Sequence, residues 1–350
     1  MSAFLPPDLL AADALVVTDM HAAGEPVRIL DGGRPELGRQ SALAKRRLMA
    51  QRFDDLRRRL MHEPRGHADM YGAILSPPHT ETADAGVLFT HCSGYSTMCG
   101  HATIALGRYL YDRSRAQGEA RTAFRLDSPC GLLDIAVERG RGEIPRVSFD
   151  SVACYGEALD EAIDVPGIGQ VRYDIGYGGA YYAILPATAL GCDLAASPVK
   201  LLAERAGALV ASLRERRPLR HPEETDLSFL YGAILTDGLD CRASEGRTSY
   251  NLCWFGDGQL DRSPTGSGVC ARLAVDHARG RARTGDSLMV AGLSGDPFSG
   301  RIASAGEGGV TITVSGRAYY TGRATFVAEE EDPLGNGFRL PERFEEIMRH

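Results

Sequence analysis

Cys99-Gly100-His101-Ala102-Thr103-Ile104-Ala105-Leu106 and Thr265-Gly266-Ser267-Gly268-Val269-Cys270-Ala271-Arg272 share one layout. Each begins where a polar loop ends on a nucleophile-type side chain. Glycine follows, then a small or polar residue and an alanine-rich run. The pattern predicts one helix over Gly100–Tyr111 and another over Gly266–Arg279. Identity between the two stretches is slight, but the match suggests internal duplication with a period far longer than any solenoid repeat. The boundary between the copies is expected near residues 150–165.

Short β-like runs surround both helices. They are Tyr71–Leu75, Val87–Cys92, Ala123–Leu126, Leu132–Val137 and Val147–Phe149 in the first half. In the second they are Tyr181–Leu185, Leu227–Leu235, Ser249–Phe255, Ser287–Ala291 and Val310–Val314. Strands at Ala14–Thr18 and Val27–Leu30 are expected to flank a turn-like Asp19–Pro26. Two further helices are expected, Ser41–His62 and Ala195–Arg216. In the first of these, Leu43, Leu48, Phe53, Leu56 and Leu60 form an apolar stripe. Its arginines read as a solvated face, because Asp54, Asp55 and Glu63 interleave with them.

A chain of 350 residues exceeds what one core usually serves, so two domains or one large unit are expected. The hydrophobic share of 43% and charged share of 24% exclude a disordered, collagenous or membrane-spanning chain. A formal charge of −7 argues against nucleic acid as a partner. The eight cysteines never show C-x-x-C spacing, and Met1–Asp13 has neither a basic start nor a long apolar core. Free thiols in a cytoplasmic protein are therefore expected. Only Lys45 and Lys200 are lysines, and neither lies in a phosphate-cradling context. Pyridoxal phosphate, which needs a Schiff-base lysine, is not expected, and no cofactor or metal is.

The chemistry concentrates at the two helix starts. A cysteine at a helix N-terminus has its thiolate favoured by the dipole and free N–H groups, which would draw Cys99 toward neutrality. The local sequence fits a buried core cysteine equally well. At the other start, N–H groups of Gly266 and Ser267 could hold an anion. Gly266 to Ala271 also imitates a dinucleotide fingerprint with Asp286 beyond it, but the loop does not directly follow a strand and no parallel βαβ unit is evident. Gly285-Asp286-Ser287-Leu288 imitates a serine-hydrolase block but reads as a turn. His62-Glu63 and His67 have the wrong spacing for a metalloprotease, and Pro64 breaks the helix that motif requires. His21 and His67 read as structural histidines.

Together these segments resemble the proline racemase family, whose fold is that of diaminopimelate epimerase. The matching pieces are Asp19-Met20-His21 with Gly24-Glu25-Pro26, Glu63-Pro64-Arg65-Gly66-His67, Met98-Cys99-Gly100-His101, Gly178-Gly179 and Asp261-Arg262-Ser263-Pro264. The resemblance implies an α+β fold of two pseudo-symmetric β-rich domains, each wrapped around a central helix, with the active site in the cleft between them. It implies an N-terminal domain of residues 14–155 plus about 325–350, carrying the Cys99 helix, and a C-terminal domain of 156–324, carrying the Thr265 helix. It also implies a small imino-acid substrate and a homodimer, with neither membrane nor nucleic acid as partner. In the family two cysteines face each other across the substrate α-carbon. Here Cys99 is one of them and Thr265 stands where the other belongs.

That departure decides the expected activity. A hydroxyl cannot serve as a second acid–base at neutral pH, so racemisation or 2-epimerisation should be crippled. The Cys/Thr pairing is similar to that of the family's trans-3-hydroxy-L-proline dehydratases, which form Δ1-pyrroline-2-carboxylate. In that substrate the 3-hydroxyl and the α-hydrogen lie on one ring face, so a single thiol could both take the hydrogen and protonate the departing hydroxide. By position, Gly100, His101, Gly266 and Ser267 would bind the carboxylate through their N–H groups. Asp261, with the His101 side chain, would hold the ring nitrogen. The competing readings are a 2-epimerase that tolerates Thr265, a non-catalytic imino-acid-binding protein and a dinucleotide-dependent oxidoreductase.

Overall fold

The computed structural model describes residues 14–139 and 143–341. The Met1–Asp13 stretch and residues 342–350 of the expected C-terminal return lie outside them. Strands β1 (Leu15–Ala22) and β2 (Glu25–Gly32) open the chain as a hairpin. Its turn is only Ala23-Gly24, with φ of 48° and 81°, the two positive values that a two-residue turn of this hand needs. Asp19, Met20 and His21 therefore lie in strand β1, and the expected eight-residue turn shrinks to two residues.

Helices α1 (Ala42–Arg52) and α2 (Asp54–Met61) follow. The single helix expected over 41–62 is thus broken at Phe53 (φ −132°), and Asp54 and Asp55 restart it as first-turn acids. Its basic face is not wholly solvated. Arg57 is buried, giving Nη1 hydrogen bonds to the His91 and Cys92 carbonyls at 3.0 and 2.6 Å, and Lys45 is buried against the Pro77 carbonyl. The first half continues through β3 (Tyr71–Ser76), β4 (Ala85–His91), β5 (Gly94–Ser96), α3 (Gly100–Ala116), β6 (Ala123–Ser128), β7 (Gly131–Glu138) and β8 (Arg146–Asp150).

After β9 (Tyr155–Val165) the same order recurs. The second series is β10 (Gly169–Tyr177), β11 (Tyr181–Pro186), α4 (Val199–Arg216), β12 (Leu230–Thr236), β13 (Ser249–Phe255), β14 (Gln259–Asp261), α5 (Gly266–Ala278), β15 (Ser287–Ala291), β16 (Pro297–Gly306) and β17 (Gly309–Gly316). The pairings repeat as well. β2–β3 and β4–β6 are parallel across intervening helices, as are β11–β12 and β13–β15. The hairpin β4–β5 has its counterpart in β13–β14. Each half then takes an extra strand: β9 pairs with β10, and the last strand, β18 (Ala318–Phe326), pairs along the whole of β1. β8 and β17 join the halves antiparallel.

Four parallel crossovers make the fold a mixed α/β one rather than α+β with segregated elements. The Gly266 loop does sit within such a crossover, contrary to the sequence reading. The parallel contact of β13 with β15 spans only two residue pairs, and β14 intervenes before the helix, which hides the βαβ pattern. Helix α4 begins at Val199, not Ala195, because Pro198 disfavours helical backbone before it. The Asp193 carboxylate instead caps the Ala195 and Ala196 N–H groups in a turn. Strands β9, β10, β16 and β18 escape sequence reading because one face of each meets water, so their apolar residues are sparse.

Residues 100–107 of α3 and 266–276 of α5 are buried all round, as a helix enclosed by sheet must be. Side chains from both, Ile104 and Leu106 with Val269 and Leu273, belong to one continuous core. Among the described residues no helix is long and apolar enough to cross a membrane.

Candidate active site

The N-termini of α3 and α5 meet head to head. A Cβ on Gly100 would lie 2.5 Å from the Gly266 Cα, and one on Gly266 would lie 2.7 Å from the Gly100 Cα. Both contacts are with backbone, so glycine at each position is what lets the helix starts touch. The Gly178-Gly179 pair packs against both ends. A Cβ on Gly178 would strike the Ser267 carbonyl, and one on Gly179 the Met98 side chain. Gly100→Ala is expected to separate the helix starts and cost about 1–3 kcal/mol as overpacking. Denaturant unfolding measures the stability, and loss of ligand binding beyond that cost reports on the site.

Around this junction lies a small, tightly lined cavity. Cys99, Gly100, His101, Asp261, Thr265, Gly266 and Ser267 all line it, so every site residue expected from sequence is gathered in one place. The His62 and His67 rings bond backbone carbonyls elsewhere, of Cys92 and Ala68, and among the described residues no group of three or more potential metal ligands occurs.

The two helix starts differ. Cys99 is the N-cap of α3 in extended backbone, and its sulfur accepts the Ala102 N–H at 3.4 Å. His101 Nδ1 stands 3.2 Å from that sulfur. Thr265 caps α5 with φ 61° and ψ 87°, a left-handed conformation that a β-branched residue rarely adopts. Its hydroxyl does not cap the helix but donates to Asp261 Oδ2 at 2.9 Å. Asp261 Oδ1 accepts the Ser263 N–H at 2.7 Å. Gly100 and His101 of α3 and Gly266 and Ser267 of α5, whose N–H groups have no intrahelical acceptor, all line the cavity.

Burial dominates the protonation states. It raises Asp261 to about 6, against the Ser263 and Thr265 hydrogen bonds that favour the carboxylate. It holds the His101 ring down at about 3, against the Pro26 carbonyl, so the imidazole is neutral near pH 7. Burial also pushes the Cys99 thiol well above its ordinary range. The Ala102 N–H and the Tyr71 hydroxyl favour the thiolate, while the Asp261 and Glu25 charges oppose it. The sequence expectation of a thiol drawn toward neutrality is corrected here. The helix start acts in that direction but burial outweighs it.

Six lining residues were not anticipated: Tyr71, Met98, Tyr182, Tyr231, Cys253 and Phe255. Tyr182 shares a 2.7 Å hydrogen bond with the Ser267 hydroxyl. Tyr71 and Tyr231 carried a readable signal. Each begins the pentapeptide Tyr-Gly-Ala-Ile-Leu, at 71–75 and again at 231–235, on the equivalent strands β3 and β12.

Comparison with known proteins agrees with this geometry. The trans-3-hydroxy-L-proline dehydratase of Homo sapiens is 44% identical over 347 residues, covering 96% of this chain and 97% of that protein. A hydroxyproline epimerase from Agrobacterium vitis, solved with bound trans-4-hydroxy-L-proline, superposes with a TM-score of 0.85 at 25% identity, covering 95% of this chain and 96% of that one. A phenazine biosynthesis protein of the PhzF family from Bacillus anthracis shares the fold alone, with a TM-score of 0.56 at 13% identity over 90% of this chain and all of that one. The proline racemase model matches residues 17–339, spanning both halves and the helix junction, and the chain belongs to the proline racemase family.

Proposed function

We propose that this protein dehydrates trans-3-hydroxy-L-proline to Δ1-pyrroline-2-carboxylate without a cofactor. The observation that carries the reading is the unequal pair at the helix junction, a thiol at Cys99 and a hydroxyl at Thr265 tied to Asp261. A thiol on one face supports proton removal from Cα, and a hydroxyl on the other is a poor donor for inversion. The dehydratase name of the human relative, at 44% identity over nearly the full length, supports the same choice.

Each lining group then has a role. The substrate carboxylate sits on the N–H groups of Gly100, His101, Gly266 and Ser267, where two helix starts also stabilise the charge that grows as Cα is deprotonated. The ring ammonium pairs with Asp261, beside the neutral His101. That pairing cancels the Asp261 repulsion that opposes a Cys99 thiolate, so substrate itself helps to activate the base. Cys99 removes the α-hydrogen, hydroxide leaves from C3, and the enamine tautomerises to the imine. The ligand lies between a first unit of residues 14–155 plus about 325–350 and a second unit of 156–324, arranged as in diaminopimelate epimerase. The scattered spacing of the cysteines, with no C-x-x-C pair, supports a reducing, cytoplasmic setting. The family resemblance supports a homodimer, which light scattering on the purified protein tests.

Two outcomes follow. Offered trans-4-hydroxy-L-proline or L-proline, which lack a leaving group at C3, the protein forms no imine. Substantial 2-epimer from either would favour the epimerase reading instead. For pH, Asp261 must be a carboxylate to pair with the ammonium. Its value of about 6 places an acidic limb in kcat/KM there, with activity falling as pH drops through that value. Thr265→Val removes a hydrogen bond that favours the carboxylate, so the limb should move to higher pH. A limb that stays in place would show that Asp261 is not the titrating group.

A further inference from the structure

Dehydration needs an acid for the departing 3-hydroxide as well as a base for the α-hydrogen. With Cys99 as the base, the acid remains to be assigned. The Cys99 sulfur accepts the Ala102 N–H at 3.4 Å and lies 3.2 Å from His101 Nδ1. Tyr71 stands beside it. Its side chain lines the same cavity, is 3% exposed, and has its ring edge-on to His101 with centroids 4.8 Å apart. His91 and Phe255 close on the ring at 5.8 and 6.1 Å. The Tyr71 hydroxyl favours the Cys99 thiolate, and it is itself influenced by Ser96 and Tyr231. Tyr231, its counterpart in the repeated pentapeptide, is itself stacked on Phe255 at 5.4 Å.

We propose that Tyr71 is the catalytic acid that protonates the leaving 3-hydroxide, an assignment that rests on the dehydratase reading. The Cys99 thiolate takes the α-hydrogen as a proton. The electron pair of that C–H bond becomes the Cα–C3 double bond, and the C3–O pair departs on oxygen. That oxygen takes the phenolic proton of Tyr71 and leaves as water. The phenolate recovers a proton from the Cys99 thiol across the cavity that both side chains line, which restores both groups. The products are the enamine and one water, and no oxidant or reductant is involved. The 3-hydroxyl and the α-hydrogen share a ring face, so a thiol and a phenol lining one cavity can serve both. Burial raises the Tyr71 hydroxyl well above its ordinary range, which keeps it protonated and available as the donor.

Tyr71→Phe keeps the packed ring and removes the hydroxyl. With trans-3-hydroxy-L-proline in heavy water, imine formation by this variant should fall by about 100-fold or more, within the span attributed to general acids. The unreacted substrate should gain deuterium at Cα, because Cys99 still removes the hydrogen and the carbanion is returned. A variant that forms imine within about threefold of the unaltered protein overturns the assignment while leaving the dehydratase reading intact. Loss of imine with no deuterium at Cα also overturns it, by showing that Tyr71 serves the thiolate rather than the leaving group. If the unaltered protein forms no imine, the dehydratase reading falls and the assignment with it.

Discussion

Cys99→Ser is expected to lower the rate of imine formation by about 10²–10⁴-fold, the contribution typical of a positioned proton-transfer group. The loss should fall on kcat, with KM nearly unchanged, since the carboxylate is held by backbone N–H groups that the substitution leaves in place. Serine is a strong N-cap residue, so its hydroxyl can accept the Ala102 N–H that the sulfur now accepts, and helix α3 should keep its stability. The variant therefore separates chemistry from folding. A hydroxyl at that position cannot become a base near neutral pH, and the neutral His101 ring, held at about 3, is a weak substitute. A Cys99→Ser protein that keeps more than about a tenth of the activity would place the base elsewhere in the cavity.

Thr265→Cys is the second large effect. It places a thiol at each helix start and should introduce 2-epimerisation of trans-4-hydroxy-L-proline, an activity expected to be negligible in the unaltered protein. Cysteine lacks the β-branch that makes the φ of 61° costly for threonine, so the backbone has no steric reason to rearrange. The substitution replaces the 2.9 Å Thr265 hydrogen bond to Asp261 with a weaker donor, so the carboxylate should become easier to protonate. Chiral chromatography of the recovered substrate detects the new activity. If imine formation persists and no inverted product accumulates, the identity of residue 265 does not decide between elimination and inversion.

Much of this site is legible in the chain because it is built from local signals. A nucleophile-type residue, a glycine and an alanine-rich run mark each helix start, and the two starts can be aligned without a structure. The reason for the glycines cannot be read that way. Gly100 and Gly266 are 166 residues apart, and only the fold shows that each leaves room for the other's backbone. The break at Phe53 was hidden because the apolar stripe runs through it unbroken. Arg57 was read as solvated because sequence alone does not show that carbonyls of β4 and its following residue wait to receive it, and the burial of Lys45 against the Pro77 carbonyl is equally hidden. Tyr71 and Tyr231 are a different case. The pentapeptide they open is repeated in full, yet its apolar residues read simply as two buried strands. Strand pleating turns both tyrosines into the cavity, and that follows from register, which the pentapeptide alone does not reveal.

Elimination of water from trans-3-hydroxy-L-proline with Cys99 as the base leaves its mark on the α-hydrogen. The most direct test offers the purified protein that substrate, labelled with deuterium at Cα and without any added cofactor, and follows product by nuclear magnetic resonance. One Δ1-pyrroline-2-carboxylate is expected for each substrate consumed, with the α-deuteron lost and turnover slower than with the unlabelled compound. A change in optical rotation with no imine would contradict it.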